Sequence, residues 1–161
     1  ENLQNFEWNL TLCGGFDEKD EYFKKIRKRI SDSKMEDRIT FTGEIPRPEI
    51  EKYYKKSDLL ILTSYFETYS MVLQEAMAFK IPIIAANSGA VTQTADSKIA
   101  KFYEPGEIGQ LEKQLRALLV NNEYNKLANG YNELDLKFLT WRKKAEQFLK
   151  ILYINKCAES N

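Results

Sequence analysis

The chain has 161 residues, enough for one domain with a hydrophobic core and too few for two domains of ordinary size. Its 24 basic and 24 acidic side chains balance, so net charge favours neither nucleic acid nor an anionic membrane as a partner. The sequence contains no histidine, which excludes a histidine general base and a histidine-ligated metal within this chain.

The cysteines and the hydropathy of the chain bear on its compartment. Cys13 and Cys157 lie far apart and do not have the spacing of metal ligands, which is typical of thiols in a reducing cytosol. No apolar stretch reaches the ~20 residues that span a bilayer, and the N-terminus lacks the basic and apolar regions of a signal peptide. We therefore expect a cytoplasmic location.

Five short apolar runs are typical of β-strands. In chain order they are Trp8–Cys13, Arg38–Thr42, Asp58–Thr63, Ile81–Ala86 and Ile99–Tyr103. The third and fourth runs are apolar on both faces, as expected for strands that helices cover on each side.

Helical patterns separate and follow these runs, and we expect the first helix to begin at an Asp17 N-cap. The fourth of seven expected helices is a short one after Gly89. The sixth lies around Tyr124 to Leu134, and the seventh begins behind a Thr140 N-cap. The apolar positions of the other helices are Phe23, Ile26 and Ile30; Ile50, Tyr53 and Tyr54; Val72, Leu73, Ala76 and Met77; and Ile108, Leu111, Leu115, Leu118 and Leu119. The seventh helix would present Trp141, Ala145, Phe148, Leu149 and Leu152.

Strands and helices alternate, which predicts an α/β fold: one three-layer Rossmann-type domain over residues 1–161, with a parallel sheet of about five strands. In such folds the ligand lies at the carboxyl ends of the strands, beside helix N-termini. The loops at that edge are Cys13–Asp17, Thr42–Arg47, Thr63–Met71, Asn87–Thr92 and Glu104–Glu107.

One of these loops carries a pair of acids. Glu67 follows a strand, and Glu75 lies about one and a half turns inside the next helix. Between them, the amides of Tyr69, Ser70 and Met71 would form an anion site at the helix N-terminus. An acid, an anion site and a second acid match the sugar, diphosphate and ribose of a sugar nucleotide. The spacing alone favours an ordinary loop acid and an ordinary helix acid, because two acids at this separation arise often by chance.

The sequence around this pair resembles a known family. The run SDLLILTSYFETYSMVLQEAMAFKIPIIAANSGAVTQTA resembles the donor-binding core of family-4 (group 1) glycosyltransferases of the GT-B fold. Their pattern there is E-x-F/Y-G/S, four residues, E-A-M/L-A, and then x-P-V/I-I/V-A. Further segments that resemble the family in the same order are LCGGFDEKDEYFKKI, EDRITFTGEIPRPEIEKYYKKSD, FYEPGEIGQLEKQLRALL and LTWRKKAEQFLKILY.

The resemblance implies an activity and roles for particular residues. It implies that Glu67 is the catalytic residue of the motif and contacts hydroxyls of the transferred sugar, and that Glu75 binds the ribose diol. It implies sugar transfer from a UDP- or GDP-linked donor with retention of configuration, without a metal ion or a cofactor. The other implied contacts are the amides of Tyr69, Ser70 and Met71 for the sugar or diphosphate, Gly43, Glu44 and Ile45 for the nucleobase, and Gly14 and Gly15 near the phosphates.

The sequence departs from the family pattern at three places. Ser70 stands where the family often has glycine, and Phe79-Lys80 stands where a glycine usually precedes the next strand. Thr92-Gln93 replaces a usual Pro-Glu, so a nearby contact to the donor is expected to differ.

The family's donor domain opens with a strand that ends in Gly-Arg, with a lysine about five residues later, and an acceptor domain precedes it. This sequence starts after that strand. We therefore expect a gap in the sheet, which its two halves close or another copy of the chain fills. We also expect weak donor binding and no sugar transfer by this chain without the acceptor domain. By resemblance, the full-length enzyme would work in the cytoplasm or at the inner face of the membrane.

Three functions remain open from the sequence. The first is the donor-binding part of a retaining glycosyltransferase in polysaccharide or glycoconjugate biosynthesis. The second is a GT-B-like nucleotide-binding or interaction module without catalysis. The third is a sugar-nucleotide epimerase, which the lack of histidine makes less attractive.

Overall fold

The computed structural model describes residues 3, 5–121 and 123–134. The predicted seventh helix, from Thr140 onward, lies outside these described residues. Two compact units divide the chain: one ends at Lys56 and the other begins at Ser57.

The first unit pairs two strands and two helices. Its elements are β1 (Leu10–Cys13), α1 (Glu21–Asp32), a 3₁₀ turn (Glu36–Arg38), β2 (Ile39–Gly43) and α2 (Arg47–Lys56). The two strands are parallel, with Leu10 opposite Ile39 and a register shift after Leu12. Phe23 on α1 packs edge-on against Phe41 of β2, with 5.2 Å between ring centroids. Phe23, in the apolar stripe of α1, thus covers part of this sheet.

The second unit is a three-stranded parallel sheet with helices. Its elements are β3 (Leu60–Leu62), α3 (Met71–Ala78), β4 (Ile83–Ala86), α4 (Val91–Thr94), β5 (Ala100–Tyr103), α5 (Ile108–Val120), α6 (Glu123–Gly130) and a 3₁₀ turn (Tyr131–Glu133). The strand order is β3-β4-β5. Every residue of β4 is buried, as its β-branched and alanine composition predicts for a central strand.

The predicted parallel α/β architecture is confirmed. The five strands form a sheet of two and a sheet of three, where the sequence predicted one sheet with a gap. Each observed strand lies within its predicted run, apart from β2, which extends one residue further to Gly43. The predicted Asp17 N-cap is wrong. Asp20 caps α1, because its carboxylate accepts a hydrogen bond from the Tyr22 amide at 2.7 Å. The Asp17 carboxylate instead accepts from the Lys19 amide at 2.8 Å, within the preceding turn.

Lys80 has a defined structural role where the family pattern usually has glycine. Its φ is 57°, in the left-handed region. The Lys80 amide donates to the Met77 carbonyl and the Ile81 amide to the Ala76 carbonyl, each at 3.0 Å, which together form a Schellman motif at the end of α3. The lysine therefore keeps the helix termination that glycine would give, at a cost of about 1–2 kcal/mol in backbone strain.

Tyr131, in the last described 3₁₀ turn, is hydrogen-bonded to Ile81, two residues before β4 begins. Its hydroxyl donates to the Ile81 carbonyl at 2.6 Å, and its side chain is buried. Burial raises the pKa of the Tyr131 phenol well above its usual range, because the phenolate would lose its hydration.

We expect unfolding free energy to fall as pH rises above about 10, since the unfolded chain then ionises Tyr131 while the folded chain does not. The contribution of Tyr131 to the slope of unfolding free energy against pH approaches about 1.4 kcal/mol per pH unit. Urea unfolding at pH 8 and pH 11 measures this slope. Tyr131→Phe should reduce the slope, and the exposed Tyr22→Phe should not. Burial also raises the pKa of Tyr103 and Tyr124, so some slope should remain. An unchanged slope in Tyr131→Phe would contradict this assignment.

Candidate functional site

The predicted acid pair lies around the loop that joins β3 to α3, at the carboxyl end of β3. Helix α3 begins at Met71, and Ser70 is its N-cap: the buried Ser70 Oγ accepts a hydrogen bond from the Leu73 amide at 3.4 Å. Glu67 therefore lies in the loop and Glu75 in the second turn of the helix, where the sequence places them. Both side chains are half-buried.

The loop that follows β4 is hydrogen-bonded to the loop that joins β3 to α3. The buried Ser88 Oγ donates to the Ser64 carbonyl at 2.9 Å, and the Ala90 amide donates to the Glu67 carbonyl at 2.9 Å. Since β3 and β4 are adjacent and parallel, their carboxyl ends meet at one edge of the sheet. Hydrogen bonds from the loop after β4 therefore hold the backbone at Glu67 in place.

At Gly89 the loop after β4 passes close to the backbone of Glu67. The φ of Gly89 is 56°, and a Cβ built on it would overlap the Glu67 carbonyl. Glycine meets both demands, because it adopts the left-handed region without strain and lets a second backbone pass close by. The position of Glu67 thus depends on a residue 22 positions later in the chain.

The start of α3 offers groups that suit an anion. The first amides of a helix have no carbonyl partner within the helix, and its dipole favours negative charge there. The Tyr69 hydroxyl donates to the Gln74 Oε1 at 2.9 Å, which holds the Tyr69 side chain beside the first turn. Acids on either side of this turn in sequence can accept hydrogen bonds from ligand hydroxyls.

The structure brings other predicted residues together in the first unit. Gly14 forms an isolated bridge with Gly43, and its amide donates to the Gly43 carbonyl at 3.1 Å. Next to this bridge, an open pocket is lined by Gly15, Phe16, Asp17, Gly43 and Glu44.

The predicted site residues therefore fall into two groups, one in each unit. Glu67, Tyr69, Ser70, Met71 and Glu75 surround the start of α3. The first-unit group is Gly14, Gly15, Gly43, Glu44 and the half-buried Ile45.

The sequence analysis did not identify three residues that shape the Glu67 loop and the first-unit pocket. Ser88 and Gly89 fasten the Glu67 loop, and Phe16 lines the first-unit pocket. The signal available for the first two was a small-residue Asn-Ser-Gly-Ala turn directly after a buried strand. Phe16 directly follows the two loop glycines.

In the part of the chain that the structure describes, no helix has the length and apolar character needed to cross a membrane. Among the same residues, no three cysteine, aspartate or glutamate side chains gather as a metal site would require.

Comparison with known proteins places the chain in a family. A model of the family described as "Glycosyl transferases group 1" matches residues 1–133. An uncharacterized glycosyltransferase of Haemophilus influenzae is 36% identical over 119 residues, which is 72% of this chain and 31% of that protein. The chain spans about a fifth to a third of the length of the first curated relatives that it matches.

Solved structures of similar fold agree. The C-terminal domain of a group 1 glycosyl transferase, LpcC from Francisella tularensis, matches with a TM-score of 0.70 and 26% identity, over 84% of this chain and 73% of that domain. Anabaena HepE in complex with UDP matches with a TM-score of 0.68 and 22% identity, over 89% of this chain and 41% of that protein.

Proposed function

The chain belongs to the group 1 glycosyl transferases, and from that premise we propose that it is the donor-binding part of a retaining glycosyltransferase. The donor would be a nucleotide diphosphate sugar, and the product a polysaccharide or another glycoconjugate. One observation carries the proposal: the loop with Glu67 is fixed by the buried Ser88 and by Ala90 directly before a capped helix. A backbone held in this way is what a site that positions a ligand requires.

The start of α3 suits the diphosphate of the donor. Its first-turn amides and helix dipole would stabilise the charge that develops on the leaving diphosphate. In the same proposal, Glu75 in the second turn accepts hydrogen bonds from the ribose diol. HepE, which matches this chain in fold, was solved with UDP.

Glu67 would contact hydroxyls of the transferred sugar. Because the Ala90 amide holds the Glu67 carbonyl at 2.9 Å, the side chain starts from a fixed backbone position. Such positioning places the sugar relative to the leaving group and reduces the entropic part of the barrier. The acceptor and the remaining catalytic groups would come from the acceptor domain that the family pairs with this one.

A non-catalytic interaction module is the second candidate, and two exposed aromatic side chains favour it. Tyr65 and Phe66 are 78% and 73% exposed in the loop that precedes Glu67. Large exposed rings are common in surfaces that bind other proteins.

Nucleotide titration separates the two candidates. We expect UDP or GDP to bind the wild-type chain, with millimolar concentrations sufficient for detection by NMR. Glu75→Ala should weaken that binding about 10- to 100-fold, since hydrogen bonds to a charged group contribute about 1.5–3 kcal/mol. The control is Glu49→Ala on the exposed surface of α2, which should bind as wild type does. If neither nucleotide binds the wild-type chain, the donor-binding proposal fails and the interaction module is favoured.

A further inference from the structure

A side-chain hydrogen bond joins the residue before the cap of α3 to a residue inside the helix. Ser70 is the N-cap, so Tyr69 precedes the cap and Gln74 is the fourth residue of α3. Apolar side chains at these two positions often pack together and fix the angle at which the chain enters a helix. In this chain the contact is polar instead, because the Tyr69 hydroxyl donates to the Gln74 Oε1 at 2.9 Å.

The Gln74 side chain lowers the stability of the fold. Its Nε2 is buried, and among the residues that the structure describes it has no hydrogen-bond partner. A buried donor without a partner destabilises the folded state, because it loses hydration and gains no bond in return. A methionine, which is similar in size and in helix propensity, would avoid this loss and still pack on the Tyr69 ring. Stability therefore gives no reason for an amide at this position.

The segment that this hydrogen bond holds is otherwise weakly constrained at the helix start. The cap bond from the Leu73 amide to the Ser70 Oγ is 3.4 Å long, beyond the usual range for such bonds. A backbone amide is an effective donor only along its N–H direction, which the dihedral angles of the segment set. The bond between Tyr69 and Gln74 thus constrains the direction of the amides around Ser70.

We propose that Gln74 is a positioning residue: its bond to the Tyr69 hydroxyl orients the amides at the start of α3 toward the diphosphate of the donor. The inference rests on the proposed donor-binding function. Gln74 acts through Tyr69 and not by touching the ligand, since its Nε2 is buried and its Oε1 accepts from the Tyr69 hydroxyl. Amides that are oriented beforehand bind an anion without the entropic cost of ordering them. The amide of Gln74 therefore lowers stability and strengthens nucleotide binding, a trade-off common in functional sites.

Gln74→Met should change stability and binding in opposite directions. Its urea midpoint should equal or exceed that of wild type, because the buried unpaired donor is gone and water can hydrate the hydroxyl of Tyr69, a residue that is 40% exposed. Calorimetric titration with UDP and GDP should show binding about 3- to 10-fold weaker than wild type, for whichever nucleotide binds wild type. A purely structural residue would not lose binding while stability is kept.

Tyr69→Phe and the double variant test whether Gln74 acts through the hydroxyl. Tyr69→Phe keeps the ring and removes the donor, so it should weaken nucleotide binding about as much as Gln74→Met does. The double variant should bind no more weakly than either single variant, because both changes remove the same hydrogen bond. The matched control is Tyr22→Phe, which removes the hydroxyl of a tyrosine that is 71% exposed on α1 and should bind as wild type does.

The remaining outcomes contradict the inference. If Gln74→Met binds nucleotide as tightly as wild type, or loses stability together with binding, Gln74 does not position the amides. If the losses of the two single variants multiply in the double variant, Gln74 does not act through the Tyr69 hydroxyl. In both cases the donor-binding function stands. If neither UDP nor GDP binds wild type, the proposed function fails together with the inference.

Discussion

Replacement of Gly89 by alanine should lower the free energy of unfolding by about 2–5 kcal/mol. The left-handed backbone costs an alanine about 1–2 kcal/mol, and the overlap with the Glu67 carbonyl adds about 1–3 kcal/mol of overpacking. The overlapping atom belongs to the backbone, so no change of rotamer relieves it. Relief requires the two loops to separate, which breaks the hydrogen bond from the Ala90 amide to the Glu67 carbonyl.

Two measurements test the Gly89 prediction. Urea unfolding gives the loss of stability, and nucleotide titration reports the displacement of the Glu67 loop as a loss of binding of about tenfold or more. Gly109→Ala is the matched control, because that glycine lies in α5 with no atom within 4 Å of an added Cβ. The control should stabilise the helix by up to about 1 kcal/mol. Stability and binding both equal to wild type in Gly89→Ala would show that the loops are not in close contact.

Gly130→Ala should also destabilise the chain strongly, by about 2–4 kcal/mol, for a reason confined to packing. Gly130 is the last residue of α6 and is buried, and a Cβ on it would overlap the carbonyl of Lys98. The gain in helix propensity, about 1 kcal/mol, is smaller than the cost of moving two backbones apart.

The Gly130 prediction is checked by the same unfolding experiment, with the exposed neighbour Asn129→Ala as the control. The control should change the free energy of unfolding by no more than about 0.5 kcal/mol. Nucleotide binding by the folded fraction of Gly130→Ala should equal that of wild type, since the atoms nearest to the added Cβ belong to Lys98 and not to the Glu67 loop. A variant as stable as wild type would mean that α6 does not pack closely against the segment before β5.

The sequence was a good guide where one local pattern decides the structure. The strand β4 was predicted because its residues are apolar on both faces, and all of them are buried. The cap of α1 was misplaced because Asp17 and Asp20 are both acceptable caps, and only the path of the turn selects Asp20. Local sequence does not contain that path.

The candidate site shows the same limit more clearly. The positions of Glu67 and Glu75, in a loop and in a helix, follow from the start of α3 at Met71, among the amides that the sequence analysis assigned to the helix N-terminus. The hydrogen bond from the Ala90 amide to the Glu67 carbonyl, and the close contact of Gly89 with the Glu67 backbone, join residues more than 20 positions apart. The division of the strands between two sheets is likewise a pairing of distant segments, which composition and periodicity do not determine.

The hydrogen bond from Tyr131 to the Ile81 carbonyl has a consequence for synthesis on the ribosome. The two residues are 50 positions apart, so Ile81 leaves the exit tunnel well before its partner has been made. Until Tyr131 emerges, the Ile81 carbonyl must be hydrated or otherwise paired, and β4 stays without part of its cover. The second unit therefore cannot complete its fold co-translationally until nearly all of the described chain has been translated, which makes its early, partly covered sheet a natural substrate for chaperones.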